Sequence, residues 1–359
     1  MSVHERFLIL VLNVGSTSTK AAIFENDGIT AQEAITYHAA DLSRFKTLAD
    51  QLPLREKDLL AFMEAHGVTP ERLDLIVSRG GLMKPAPAGI YEVTPGMCDD
   101  LMEGKYGIHP SALGPAIALS MARASGKQAI VADAPSTDEF HDLARLSGLP
   151  GIGRTSAFHA LNQKAVARRA ARAMGRDYSA LNLIVAHMGG GTTIGAHRKG
   201  RVIDCTHGLS EGPFTAERAG GLPTHGLIEY MHQSGHTVED MKKELVGKGG
   251  LAGYLGTDDA REVEAMIEGG DEKARLVFEA MAYQVAKDIG AMATVLEGTV
   301  DAVVFTGGLA HSAMLVRLIT DRVGFIAPVL TYPGENELVA LAEAGLRVLR
   351  GEDKMLPYD

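Results

Sequence analysis

Asn13-Val14-Gly15-Ser16-Thr17-Ser18-Thr19-Lys20 packs a polar residue, a glycine and a run of hydroxyls into one short stretch after an apolar run. A tight bend of this composition presents bare backbone N–H groups and short side-chain donors, which is the chemistry of an anion cradle. His187-Met188-Gly189-Gly190-Gly191-Thr192-Thr193 repeats the plan in the second half of the chain. Each copy reads as a buried strand, a polar residue, a glycine and hydroxyl turn and a second strand. A further turn follows each, at Asn26-Asp27-Gly28 and at Lys199-Gly200. One copy alone is most simply a glycine-containing hairpin. Two copies, one per half, suggest a nucleotide's phosphates gripped between two related domains. Neither is a Walker A loop: Lys20 has no glycine before it and the spacing is too short. Phosphate binding here would work through hairpin turns.

Two arginines stand in glycine-rich loops, Arg79 in Arg79-Gly80-Gly81 and Arg218 in the polar stretch over residues 210–222. In such a loop a guanidinium can fork onto a carboxylate or phosphate. A net charge of −10, with no basic tail or stripe, argues against a nucleic-acid partner. An acidic protein that handles anions must keep its positive charge local, which gives these arginines weight. Asp133 closes an apolar run at residues 128–132, where a carboxylate can reach a metal-bound water or orient a substrate. A strand-end aspartate is also a common helix cap. His109 precedes an apolar helix, His159 begins another, and His187 ends the strand of the second cradle. A lone histidine near an apolar segment is more often a satisfied core residue than a catalyst. Cys98 and Cys205 make no disulfide framework and fit a reducing compartment. Cys205, His207, His225, His232 and His236 read as surface or loop residues without zinc spacing.

The elements that must position these groups alternate in α/β fashion. Apolar periodicity and its punctuation predict helices over residues 54–66, 110–124, 158–174, 262–296 and 337–350. Strands are expected over residues 73–78, 128–132 and 302–305. Three apolar strands end in polar-plus-glycine turns, at Asn13, His187 and Thr306. Ligands of α/β sheets sit beyond the carboxyl ends of strands, so the site is expected there. A length of 359 residues suits two domains. Leu149-Pro150-Gly151-Ile152-Gly153 is the expected hinge, giving domains 1–153 and 154–337, with a last helix (about 338–359) able to pack back on the first. The N-terminal apolar run is too short for a signal peptide, and no segment approaches a membrane span; the cytoplasm is the expected location.

With these turns in view the chain resembles the acetate and butyrate kinase family, within the sugar kinase, heat-shock ATPase and actin superfamily. The resemblance covers nearly the whole chain. It is carried by Asn13 to Lys20, by His187-Met188-Gly189-Gly190-Gly191, by Glu211-Gly212-Pro213-Phe214-Thr215-Ala216-Glu217-Arg218 and by Phe305-Thr306-Gly307-Gly308. Phe158-His159-Ala160-Leu161-Asn162-Gln163-Lys164-Ala165 and the Gly212 to Arg218 string resemble butyrate kinases more than acetate kinases. The implied fold is two RNase H-like domains (duplicated βββαβαβα units), an actin-like ATPase fold with its active site between domains, assembled as a homodimer or larger. The implied reaction is direct in-line phosphoryl transfer from ATP to a short carboxylate, butanoate best, giving an acyl phosphate and ADP. An ionised carboxylate needs no general base; the work is positioning and charge neutralisation.

The resemblance assigns Arg79 and Arg218 to substrate and transition-state binding and Asp133 to catalysis. It places His159 near the transferring phosphoryl group, His187 beside the nucleotide phosphates and His109 near the acyl site. Ser16 and Ser18 should donate to a phosphate, and Gly189, Gly190 and Gly191 should let the backbone approach the β- and γ-phosphates. Gly307 and Gly308 should line the adenosine pocket. Mg²⁺ would be held mainly by ATP oxygens and water, with Asn13 and either Glu335 or Glu337 as protein groups. The chain departs from the pattern at Val14, where butyrate kinases usually carry proline, and at Ala112, where the family tends to have asparagine. The loop between Asp204 and Glu211 is about one residue short of the expected pattern. These differences put the preferred acid in question, and acetate, propionate and isobutyrate stand as alternatives. A non-catalytic nucleotide switch is the rival of a different class; Arg79, Asp133, His159 and Arg218 occurring together argue against it. A sugar kinase is weaker still, because a neutral hydroxyl needs a carboxylate base.

Overall fold

The structure is a computed structural model that describes residues 6–358. The chain divides into two compact units, Met1–Thr137 with Asn336–Asp359, and Asp138–Glu335.

The first unit opens with β1 (Leu8–Val14), β2 (Ser18–Glu25) and β3 (Gly28–Thr36), an antiparallel meander. β4 (Leu75–Ser78), β5 (Ile90–Glu92) and β6 (Gln128–Ala132) follow, with β1, β4 and β6 mutually parallel. β1 and β4 are apolar almost throughout and buried, as strands covered on both faces must be. Helix Leu113–Ser125 packs on β4 and β6. Helix Glu337–Leu349 returns to pack on β1 and β4, so closely that a Cβ at Gly345 would lie 2.9 Å from Val77 Cγ2 of β4.

The second unit repeats the plan. β7 (Asn182–Met188), β8 (Thr192–Arg198) and β9 (Arg201–Cys205) form the meander, and β10 (Ala302–Gly307) and β11 (Val329–Pro333) extend the sheet in parallel from β7. Its order is β11-β10-β7-β8-β9. The first sheet, completed by β12 (Met355–Leu356), runs β12-β5-β6-β4-β1-β2-β3. In both, a strand with a polar end lies between its hairpin partner and a parallel neighbour. Among the described residues no helix is long and apolar enough to cross a membrane.

The division falls before residue 138 and not at residues 149–153, and side chains explain why. Lys164 Nζ is 2.6 Å from Glu139 Oε2, both side chains almost wholly buried, and the same oxygen accepts from Val202 N at 2.8 Å. His141 N donates to Ile203 O at 2.8 Å, and Arg154 pairs with Asp204 and Glu211 at 3.0 Å each. The segment around Pro150 is thus a surface turn of the second unit. The helix expected over residues 262–296 is two helices, Ala260–Glu268 and Glu272–Val295. Gly270 at φ 89° stops the first, and Asp271 caps the second by accepting from Ala274 N at 3.0 Å.

Removing one partner of a buried ion pair leaves the other charge uncompensated. Glu139→Ala should therefore lower unfolding free energy by about 3–5 kcal/mol in urea titrations. The apolar pair Glu139→Leu with Lys164→Met should recover most of that loss.

Candidate functional site

In the first unit, the parallel register that sets Leu12 opposite Ser78 brings Asn13 and Arg79 to the same sheet end. Glu337, in the first turn of the last helix, joins them. Asn13 Nδ2 donates to Glu337 Oε2, and Arg79 Nη2 lies 3.1 Å from Glu337 Oε1. Asp133, after the third parallel strand, is buried with φ at 42°, a left-handed conformation that side chains rarely adopt. Strain of this kind, about 1–3 kcal/mol, gathers at functional positions. His109 Nδ1 accepts from Ser111 N at 3.2 Å. Partial burial, with the Arg79 charge adding to it, pushes the His109 pKa down, so its neutral ring carries the proton on Nε2.

The first glycine turn is clamped from behind by a residue that sequence reasoning missed. Arg55, wholly buried, donates from Nη1 to Gly15 O (3.0 Å), Ser18 O (3.2 Å) and Thr19 Oγ1 (3.1 Å), and from Nη2 to Ser16 O (2.9 Å). The Tyr37 ring lies 4.6 Å from its Cζ. A trans peptide points its N–H opposite to its C=O. Carbonyls of Gly15 and Ser16 turned toward Arg55 therefore turn the N–H groups of Ser16 and Thr17 the other way. Ser16 and Thr17 are exposed and Ser18 half-buried, so the turn offers its donors outward.

In the second unit, β7 and β10 pair with His187 opposite Thr306. His187 Nδ1 meets Asn162 Oδ1 at 2.8 Å, and its ring stacks on His159 with centroids 3.8 Å apart and planes 13° from parallel. His187 Nε2 lies 3.0 Å from Glu335 Oε1 but off the line of a hydrogen bond. Charged side chains crowd the Gly189–Gly191 turn. A Cβ would stand 3.0 Å from Glu335 Oε1 at Gly189, 3.2 Å from Glu217 Oε1 at Gly190 and 2.1 Å from Arg218 Nη1 at Gly191. Arg218 Nη1 donates to Gly208 O at 2.6 Å, and its buried Nε makes no hydrogen bond. Thr215 Oγ1 ties the arginine's loop to the turn, accepting from Arg218 N at 3.1 Å and donating to Gly190 O at 2.6 Å.

Gly307, at φ 87°, approaches β7 so closely that a Cβ would lie 2.3 Å from Met188 O. Beside it opens a cavity of about 810 Å³ lined by Gly189, Gly190, Gly308, Asp259, Glu264 and Ser312. Its size suits a nucleoside. Glu264 and Ser312, which hydrogen-bond each other there, carry no local motif and were not legible in the sequence.

The structure thus gathers Asn13, Arg79 and Glu337 in one unit and His159, His187, Glu335, Arg218 and the three glycines in the other. Glu335 and Glu337 fall on opposite sides of the unit boundary. No group of three or more His, Cys, Asp or Glu among the described residues is arranged to hold a metal. Cys205 is a core residue of β9 and not a loop thiol; burial pushes its pKa well up, and Sγ donates to Thr206 O at 3.3 Å.

A model of the acetokinase family matches residues 150–328, most of the second unit and just under half of the chain. Among solved structures, an acetate kinase from Porphyromonas gingivalis is similar at 20% identity and a TM-score of 0.78, covering 95% of this chain and 100% of that one. An acetate kinase from Entamoeba histolytica is similar at 19% identity and a TM-score of 0.75, and a propionate kinase from Francisella tularensis at 19% and 0.72; each comparison covers 94% of this chain and 98% of the other. These likenesses show the fold: α/β with two sheets, of the kind shared by acetate kinases and sugar kinases.

Arg55 ties down turn carbonyls and touches no exposed surface, so its loss should disorder the turn. Arg55→Met is expected to destabilise the protein by about 1–3 kcal/mol in urea titrations and to speed hydrogen exchange at the Ser16 and Thr17 amides.

Proposed function

We propose that the protein is an ATP-dependent short-chain carboxylate kinase, converting butanoate and ATP to butanoyl phosphate and ADP. The observation that carries this reading is the Gly189–Gly191 turn. With no side chains of its own, the turn borders the cavity at Gly189 and Gly190 and lets the Arg218 guanidinium close on Gly191, while Glu217 and Glu335 stand beside the same turn. An anion beside two carboxylates is tolerable only if a cation accompanies it, which suits a nucleotide arriving with Mg²⁺. The match of this stretch to the acetokinase family supports the same conclusion.

In this reading the second unit holds the nucleotide and the first holds the acyl substrate. Ser16, Ser18 and the outward N–H groups of the first turn donate to phosphate oxygens, and Gly307 and Gly308 border the adenosine cavity. The acceptor carboxylate is already ionised, so no residue has to remove a proton from it. Arg79 and Arg218 offset the repulsion between two anions and stabilise the charge that develops on the transferring phosphoryl group. His159 donates to that group and Asp133 orients the acceptor end, with His109 at the acyl side. Asn13 and either Glu335 or Glu337 would supply oxygen ligands of the hardness that Mg²⁺ prefers, and the ion would neutralise charge on the β- and γ-phosphates.

A hydroxylamine trap with Mg-ATP and acids from acetate to valerate, isobutyrate included, tests the reading. Hydroxamate is expected to peak at the four-carbon acids. A peak at acetate or propionate would move the substrate and keep the mechanism, and no hydroxamate with any acid would sink the proposal. Arg79→Ala and Arg218→Ala should each lower kcat by about 10²–10³ while Mg-ATP still binds. Turnover like that of the unaltered protein would remove that residue from the site.

A further inference from the structure

Behind the His159–His187 pair runs a line of buried polar groups with no part in the reading so far. Tyr178 Oη lies 2.6 Å from His197 Nδ1, and His197 Nε2 lies 3.0 Å from Gln163 Oε1. Gln163 Nε2 donates to Thr193 O at 3.0 Å and Thr193 Oγ1 at 2.9 Å, and Thr193 Oγ1 lies 2.9 Å from His159 Nδ1. Gln163, Thr193 and His197 are wholly buried. A Cβ at Gly195 would lie 2.4 Å from Gln163 Oε1, so only glycine lets the line pass beneath β8.

One group sets the direction of every proton. A backbone carbonyl can only accept, so the Gln163 nitrogen must face Thr193 O and its oxygen must face His197. His197 therefore carries its proton on Nε2. Burial, and after it the charges of Lys164 and Arg168, hold its pKa well below the usual range, so the ring is neutral and Nδ1 is an acceptor. Tyr178 donates to it. At the other end, Thr193 Oγ1 accepts from Gln163 and, at 3.5 Å, from His159 N, which leaves its own proton for His159 Nδ1.

We propose that Tyr178, His197, Gln163 and Thr193 form a one-way hydrogen-bond chain that fixes His159 as the neutral tautomer protonated on Nε2. His159 then meets a phosphoryl oxygen as a ready donor, with no rearrangement at the moment of transfer. The four are positioning residues acting through His159, and this use of the donor rests on the kinase reading above.

Nitrogen-15 NMR of histidine-labelled protein reads the tautomer without any turnover. The His159 signals should show a protonated Nε2 and an unprotonated Nδ1. Thr193→Val, which keeps the side-chain shape, should mix the two tautomers and lower kcat about tenfold, with KM for both substrates within about twofold. Tyr178→Phe, at the far end and conservative, should shift the His197 signals and lower kcat by a smaller factor. His159 protonated on Nδ1 in the unaltered protein, or a tautomer unmoved by Thr193→Val, would overturn the proposal. The stated tautomer in a protein that forms no acyl phosphate would fail the kinase reading and leave the chain standing.

Discussion

Parallel pairing is the constraint on which the rest of the molecule depends. Strands that run the same way finish at the same edge, so whatever follows each strand is delivered to one place. β1 delivers Asn13, β4 delivers Arg79 and β6 delivers Asp133 in the first unit; β7 and β10 deliver His187 and Gly307 in the second. Neither set is near in sequence. The antiparallel hairpin added to each set supplies the glycine turn, because a hairpin must reverse within a few residues at that same edge.

Each turn is held by groups that never reach the surface. Arg55 spends its donors on carbonyls of the first hairpin, and the second unit uses neutral side chains in the corresponding role, Gln163 and Thr193 beneath His159. The contrast follows from the chemistry in front of them. Behind exposed amides that face an anion in the proposed reading, a guanidinium turns the peptides and adds positive potential. Behind a histidine that donates, as proposed for His159, a formal charge would perturb the ring, whereas a satisfied neutral chain only orients it. Buried polar networks are costly when half-made, and here every member between Tyr178 and His159 has its partner.

Much of the fold was legible because its signals are local. The apolar runs that end in polar-plus-glycine turns mark β1, β7 and β10 from composition alone. The helix break at Gly269-Gly270 was missed because apolar periodicity continues on both sides of it. The unit boundary was missed because glycine and proline signal a bend, whereas the boundary is set by Glu139, in an irregular stretch, reaching Lys164 on helix Ala160–Ala173. Arg55 has no glycine beside it and lies in an ordinary helix, so nothing nearby announces its partners. His197 reads as one residue of an alternating strand until Gln163 is placed against it. Asn13 and Arg79 could be singled out, but their meeting through Glu337 depends on a helix from the far end of the chain.

The clamp on the first hairpin has a kinetic side. Its hydrogen bonds join residues 36 to 40 positions apart, from helix Leu52–Ala65 back to the turn. The strand pair can form early, since hairpins close within about 1–10 μs. The outward-facing amides cannot be set until the helix has docked and its guanidinium has left water. On the proposed reading, competence to hold an anion therefore arrives late in folding, after the sheet that carries it. A nascent chain would pass through a stage with a hairpin and no cradle.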